Sequence, residues 1–354
     1  MKRFVSLALA ALLICLPLSG CGNSSDKYPN GEINVLNWGE YIADGTDGSE
    51  DILTKFEEEY GIRVNYKVCP DNETLYTYLN QGDSYDVIIP SDYMISRLIE
   101  EGMLETLNFD NIPNADDIDP KFVDPPYDPT NAYTVPYMWG TVGIIYNTTL
   151  ITDEITSWSA LFDEKYAGQI LMINNPRDAI GIALKYLGYS YNTTNKDEIT
   201  QAVDLLIQQK PLVQTYVMDE IFDKLESGEA AIGTYYAGDY LTMLENNPDL
   251  AFVVPSEGSN YFVDAMCIPK GAANKENAEK FINYMCSTEV GLANCDAIGY
   301  STPLMSVYDA LDEETRSNTV AYPSDAVLAN CEQFLNLPQD ILEFYDSEWL
   351  RLKV

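Results

Sequence analysis

Aromatic and acidic residues occur together at six places in this sequence, and they follow segments that are typical of buried β-strands. In open α/β sheets, ligands bind beyond the carboxyl ends of the strands. The six clusters are therefore expected to converge on one cleft. They span residues 38–41, 91–93, 175–178, 235–239 and 261–264, together with Tyr300.

Residues of these types suit an organic cation. Aromatic faces pack against methylene groups and attract a positive charge, while carboxylates accept its N–H hydrogen bonds. A buried ammonium group without such partners would be very costly. Taken singly, each residue is better explained as a core aromatic or a helix cap, and it is the set that favours a binding site.

The composition excludes several other functions. The 354 residues contain no histidine, which removes Ser-His-Asp triads, Cys-His pairs and His-ligated metals. No GxxxxGK[ST] loop is present, so a nucleotide hydrolase of that class is not expected. With 56 acidic and 20 basic residues the net charge is −36, which argues against a nucleic-acid or anionic-lipid partner. Neither a cofactor nor a metal site is predicted.

The N-terminus reads as a bacterial lipoprotein signal. Lys2 and Arg3 precede an apolar run over residues 4–18, which is short for a membrane span. The tetrapeptide LSGC ending at Cys21 resembles a lipobox, which predicts a signal peptide over residues 1–20, lipidation of Cys21 and a tether over 21–31. The protein would then lie outside the cytoplasmic membrane, in the periplasmic space or at the cell surface. An ordinary signal peptide that happens to end in a cysteine is the alternative.

The remaining cysteines point to no metal centre. An odd number follows Cys21, and no CxxC spacing occurs, so most are expected to be small buried hydrophobic residues. A bridge between Cys286 and Cys295 stays open.

Strand and helix patterns alternate along the chain, which predicts parallel sheets wound with helices. The predicted strands are 33–38, 64–68, 85–90, 142–146, 169–173, 230–234, 251–254 and 264–268. The predicted helices are 51–60, 72–80, 93–101, 158–162, 178–187, 197–209, 218–227, 274–286 and 288–296. Residues 108–130 are rich in Pro, Asp and Asn and read as a long surface connection. Two α/β units with a cleft between them follow from this order.

Short motifs in matching order make the chain similar to the spermidine/putrescine-binding proteins of bacterial polyamine ABC importers, an extracellular solute-binding protein family. The motifs are LNWGEY (36–41), YDVIIPSDY (85–93), VPYMWG (135–140), TSWSALFDEKYAG (156–168), LKYLGYSYNTTNKDEI (184–199) and IGYSTP (298–303). The resemblance implies a type II periplasmic-binding-protein fold: two doubly wound α/β lobes, joined by crossing strands, that close on a ligand about a hinge. It places lobe 1 at 32–139 plus 263–307, and lobe 2 at 140–262 plus 308–354.

The resemblance also implies which residues bind the ligand. The acids Asp178, Asp239 and Asp264 fall at or near amine-accepting positions, although the family has Glu where Asp178 stands. The other implied contacts are Trp38, Tyr41, Ser91, Tyr93, Phe262, Tyr300 and Tyr236, the last in place of the usual Trp.

Three positions, compared with the spermidine-type and putrescine-type members of the family, bear on which polyamine is bound. Asp239, in the sequence YAGD, resembles the putrescine-type members, whereas spermidine-type members tend to have a small polar residue there. Asn175 stands where spermidine-type members have an acid. Phe334 falls near a family Gln position, with Gln333 beside it.

The leading hypothesis is therefore a monomeric, lipid-anchored capture protein, not an enzyme, that delivers putrescine or spermidine to an ABC permease. A protein of the same fold for another solute is the alternative. An anionic solute would require Arg in the cleft, where the clusters and their neighbours offer only Arg97 and Arg177. A carboxylate-dependent glycosidase is a third hypothesis, because acids are abundant.

Overall fold

The computed structural model describes residues 27–354. The predicted signal peptide (1–20), the lipidation site Cys21 and the start of the tether lie outside the described residues. No helix within 27–354 is both long enough and apolar enough to cross a bilayer.

The strands of the described chain form one continuous sheet in the order β2-β1-β3-β9-β4-β7-β5-β6, with β8 paired to β4. Strands β1, β2 and β3 are parallel to one another, as are β5, β6 and β7. The bounds are β1 Glu32–Asn37, β2 Arg63–Val68, β3 Val87–Ile88, β4 Thr134–Asn147, β5 Ile170–Ile173, β6 Val213–Val217, β7 Ile232–Tyr236, β8 Leu250–Val253 and β9 Tyr261–Cys267.

Strand β4 joins the two halves of the sheet. Its first part, up to Thr141, pairs antiparallel with β9. Its second part, from Val142 onward, pairs with β7 on one side and β8 on the other. One fourteen-residue strand is thus central to both halves. The lobe limits given above stay a prediction, but the sheet itself divides in the middle of β4.

Helices cover both faces of each half. Their bounds are α1 Ile52–Tyr60, α2 Asn72–Gln81, α3 Asp92–Glu100, α4 Pro176–Tyr186, α5 Lys196–Gln209, α6 Ile221–Glu226, α7 Ala237–Asn246, α8 Lys275–Met285, α9 Thr288–Ile298, α10 Met305–Ala310, α11 Glu313–Ser317, α12 Asp325–Leu328 and α13 Gln339–Lys353. Single 3-10 turns lie at Thr46–Gly48, Phe109–Asn111, Pro113–Asp117, Pro120–Phe122, Trp158–Phe162 and Glu164–Tyr166.

Local signals explain why these helices begin and end where they do. The Asp51 carboxylate accepts the backbone N–H of Thr54 at 2.9 Å and so caps the N-terminus of α1. Gly61 ends the same helix with a φ of 62°, a left-handed conformation that glycine adopts without strain. Ile52 and Phe56, on the face of α1 that the apolar spacing selects, are fully buried.

The apolar residues form three clusters. One fills the second half of the sheet, around Trp158 and β5, between α4, α5 and α13. The other two lie on the opposite faces of the first half, one under α1, α8 and α9 and one under α2 and α3. Phe334, from the C-terminal segment, belongs to the cluster under α3, so this segment reaches across to the first half.

Several predicted elements were wrong in detail. Residues 158–162 form a 3-10 turn, not a helix, and only Val87–Ile88 of the predicted strand 85–90 pairs in the sheet. Strand β6 was not predicted, and the helix predicted from residue 218 begins at Ile221. Cys286 and Cys295 are both free thiols, so the bridge left open above is not formed.

Candidate functional site

A cavity of about 130 Å³ lies where the two halves of the sheet meet. All the predicted contact residues line it: Trp38, Tyr41, Ser91, Tyr93, Asp178, Tyr236, Asp239, Phe262, Asp264 and Tyr300. They come from the ends of β1, β3 and β7, from β9, from the starts of α3, α4 and α7, and, for Tyr300, from the segment after α9. The structure thus brings the six clusters together, although their role in binding stays a prediction.

Besides Asp92, three buried carboxyl groups line the cavity. The exposed fractions of Asp178, Asp239 and Asp264 are 3%, 7% and 5%. Burial disfavours the charged form of a carboxyl group, and it is the largest influence on the pKa of all three.

Asp264 lies on β9, at the crossing between the halves. The Tyr41 hydroxyl donates a hydrogen bond to its Oδ2 at 2.7 Å. Its Oδ1 is buried, and within residues 27–354 it has no hydrogen-bond partner. Burial raises the pKa of Asp264 to about 6, and the hydrogen bond from Tyr41 opposes that rise. One oxygen atom is therefore free to accept a hydrogen bond from a ligand.

Asp178 lies in the first turn of α4, where the helix dipole favours a negative charge. The Tyr236 hydroxyl donates to its Oδ2 at 3.2 Å, and the Asn260 amide donates to its Oδ1 at 3.3 Å. Burial raises the pKa of Asp178 to about 7, against the effect of these two donors. The neighbouring Asn175 caps α4, since its side chain accepts the backbone N–H of Arg177 at 3.0 Å.

Asp239 lies in the first turn of α7 and accepts a hydrogen bond from the Tyr300 hydroxyl at 2.7 Å. Burial raises its pKa to about 8, and the nearby carboxylates of Asp219 and Glu40 add to the rise. Tyr300 can pack here because residue 238 is glycine. A Cβ atom at Gly238 would lie 2.1 Å from the Tyr300 ring, so any other side chain would push this ring away from Asp239.

Aromatic rings line the space between the carboxyl groups. The ring centroids of Tyr41 and Tyr300 are 4.7 Å apart in an edge-to-face arrangement. Phe262 contacts Tyr236 on one side, with centroids 5.4 Å apart, and Tyr300 on the other at 6.2 Å. These rings join Asp178 to Asp239, so an apolar chain that ran between the two acids would pack against aromatic faces along its length.

The described residues that line the cavity include no lysine or arginine. Arg97 pairs instead with Glu101 at 3.0 Å and lies over the Tyr76 ring. The Arg177 guanidinium lies over the Phe334 ring at 4.5 Å and donates to the Leu335 carbonyl. Arg177 therefore lies behind a lining ring and does not line the cavity itself, which disfavours an anionic ligand.

Sequence reasoning missed four polar residues that line the cavity: Asp71, Asn72, Asp219 and Asn260. Asp219 follows the unpredicted strand β6; it accepts a hydrogen bond from Tyr235 at 2.9 Å and approaches Gly39 from the other half. Asn260, which holds Asp178, lies just before β9. Asp219 also follows the end of a strand, as the predicted clusters do. It was not recognised because β6 was not predicted.

The sequence matches a known protein family over most of its length. Residues 51–323 match the family model described as bacterial extracellular solute-binding protein. The spermidine/putrescine-binding periplasmic protein of Salmonella typhimurium is 32% identical over 356 residues, which cover 100% of this chain and 99% of that relative. A putrescine-binding periplasmic protein of Pseudomonas aeruginosa is 29% identical over 374 residues, with the same coverage of each chain.

Solved structures show the same fold. A putative spermidine/putrescine ABC transporter protein from Listeria monocytogenes is 38% identical and superposes with a TM-score of 0.87, covering 91% of this chain and 99% of that chain. The spermidine/putrescine ABC transporter substrate-binding protein of Streptococcus pneumoniae is 34% identical with a TM-score of 0.77, over 91% and 98% of the two chains. The chain therefore belongs to the bacterial extracellular solute-binding proteins and has their type II periplasmic fold, as its motifs indicated.

Proposed function

We propose that this protein captures a polyamine, putrescine or spermidine, in the cavity between its two halves and delivers it to the permease of an ABC importer. It does so outside the cytoplasmic membrane, held there by lipid on Cys21, and it performs no chemistry on its ligand. The carboxyl groups of Asp178, Asp239 and Asp264, buried together without a lining lysine or arginine, carry this proposal. The named relatives, which bind polyamines, support it.

The geometry assigns separate tasks to the polar and apolar parts of the cavity. Asp178 and Asp239 lie at opposite ends of the aromatic series and accept the terminal ammonium groups of the ligand. The rings of Phe262 and Tyr300 pack against the methylene groups between them. The free Oδ1 atom of Asp264 accepts a further N–H bond.

The hydrogen bonds and aromatic contacts of the cavity are sufficient for micromolar binding of a polyamine. Micromolar binding requires about −8 kcal/mol. Hydrogen bonds to charged groups each contribute ~1.5–3 kcal/mol, so two or three of them, with the packed methylenes, can supply this after ordering costs.

Titration calorimetry of the purified protein tests the proposal directly. We expect putrescine or spermidine to bind with micromolar affinity or better, because each supplies two ammonium groups to the buried acids. Glutamate and glucose serve as matched negative ligands, since one is anionic and the other uncharged. Failure of putrescine, spermidine and spermine to bind, or tighter binding of glutamate, would contradict it.

Binding should also release protons. The pKa values of Asp264, Asp178 and Asp239 lie at about 6, 7 and 8, so these groups are partly protonated at pH 7. An ammonium ligand favours their charged forms, and roughly one to two protons should leave per ligand bound at this pH.

The affinity should therefore rise as the pH increases from 6 to 8, while the amines of the ligand stay protonated. Calorimetry in phosphate and in Tris, whose ionisation enthalpies differ, counts the released protons. Equal binding enthalpies in the two buffers would refute this expectation.

A further inference from the structure

A second, smaller cavity lies behind one wall of the first. Its volume is about 20 Å³, which is room for about one water molecule. Phe334 and Asp92 line both cavities. The Phe334 ring, 4% exposed, packs edge-to-face against Tyr93 and Tyr191. This side chain therefore forms part of the partition between the two spaces.

Two buried polar atoms at the smaller cavity have no partner among residues 27–354. They are Oδ2 of Asp92, a residue with no exposed surface, and the hydroxyl oxygen of Tyr127. The other oxygen of Asp92 is used, because it accepts the backbone N–H of Tyr93 at 2.7 Å at the start of α3. An unpartnered carboxyl oxygen in a closed space is costly, and nothing in the packing of α3 requires it.

We propose that Phe334 sets the length of polyamine that the main cavity admits, and that Asp92 and Tyr127 behind it form a further subsite for the third ammonium group of a triamine. This inference rests on the proposed function. Phe334 and Asp178 both line the main cavity, and with the ring in place this cavity suits a diamine. Removal of the ring would join the two cavities and give a longer ligand more room to reach the buried Oδ2 atom of Asp92.

The charged groups around Phe334 favour an ammonium subsite at Asp92. Burial raises the pKa of Asp92 well above its ordinary value, and the nearby Asp264 adds to the rise, so a cation beside Asp92 would favour its charged form. The guanidinium of Arg177 opposes both effects and lies on the far side of Phe334, over its ring. An ammonium group that replaced the ring would meet one cation but several carboxyl groups, those of Glu73, Asp92 and Asp178.

The experiment compares the ratio of the spermidine and putrescine affinities, by calorimetry, in the wild type, Phe334→Ala and the double variant Phe334→Ala/Asp92→Asn. We expect Phe334→Ala to raise this ratio in favour of spermidine at least tenfold. We expect the double variant to lose most of that gain, because the Asn side chain still accepts the Tyr93 N–H bond but carries no negative charge. Leu337→Ala is the matched control: Leu337 is buried in the same segment but lines neither cavity, so the ratio should stay within twofold.

Each outcome decides one part of the inference. A ratio within threefold of wild type in Phe334→Ala overturns the role of Phe334, and a gain that persists in the double variant overturns the Asp92 subsite. Wild-type protein that binds neither amine refutes the proposed function instead. Thermal melting checks that every variant folds. If Phe334→Ala does not fold, Phe334→Leu, which preserves an apolar side chain of smaller size, is used for the same comparison and must raise the same ratio.

Discussion

Replacing Asp264 by Asn is expected to weaken putrescine binding by about a hundredfold or more, because a buried ammonium group would lose a charged partner. The loss of a charge-assisted hydrogen bond, with the ligand cation left without full compensation, costs about 3–5 kcal/mol in buried pairs. The Asn side chain has nearly the same shape and can still accept the 2.7 Å bond from Tyr41, so the cavity should keep its form. Calorimetry on wild type and variant at the same pH measures the difference.

A matched control separates the buried charge from the general acidity of the protein. Asp249 is exposed and does not line the cavity, and Asp249→Asn removes the same charge from the surface. Exposed charges are screened by solvent and salt, so its effect on affinity should stay within twofold. Equal effects of the two substitutions would mean that net charge attracts the ligand and that Asp264 is not a contact.

Replacing Asp239 by Asn is expected to raise the stability of the ligand-free protein while it removes binding. The pKa of Asp239 lies at about 8 in the folded state and near 3.8 when unfolded. Between these values the folded state holds the proton more tightly, so stability falls as the pH rises through this window. The cost is fully present above pH 8, where the buried carboxyl group must ionise. An uncharged Asn avoids that cost and can still accept the Tyr300 hydrogen bond.

Thermal unfolding of both proteins at pH 5 and pH 8, without ligand, measures this effect. The Tm of the variant should exceed that of wild type by several degrees at pH 8, since about 1 kcal/mol corresponds to roughly 2–4 °C for a chain of this size or somewhat smaller. The difference should shrink at pH 5. Saturating putrescine should raise the Tm of wild type only. A variant that is less stable than wild type at pH 8 would show that the Asp239 carboxylate stabilises the fold.

The fold and much of the cavity were predictable because they depend on local patterns. Apolar runs followed by Asp or Asn marked strand ends, as at Asn175–Asp178, and the resemblance supplied the order of the lobes. Both the fold and the family are confirmed by the comparisons. Strand β6 escaped because its five residues, Val213–Val217, are only partly buried and include Gln and Thr, so they lack a clear apolar run.

The electrostatic state of the site could not be read from the sequence. The acids Asp178 and Asp312 occupy similar positions near the starts of helices, yet the first is buried and its pKa is raised, while the second is exposed and its pKa is lowered by backbone N–H bonds. The difference arises from packing between distant segments, such as the approach of Tyr236 and Asn260 to Asp178. The small cavity behind Phe334 has the same origin, since its walls come from three separate parts of the chain.

Because β4 belongs to both halves of the sheet, this protein is difficult to divide into two separate domains. The early residues of β4 are hydrogen-bonded into one half and its late residues into the other, so a cut at the junction leaves each fragment with an unpaired sheet edge. A single inserted residue in the second part of β4 would also be harmful, because the β4 side chains that follow it would exchange their core-facing and outward-facing orientations. Neither half should therefore be obtainable alone as a stable fragment. The segment 108–130 is no better as a place for insertions: the prediction that it is a surface connection was wrong, because Ile112, Phe122 and Tyr127 are buried in the core of the first half.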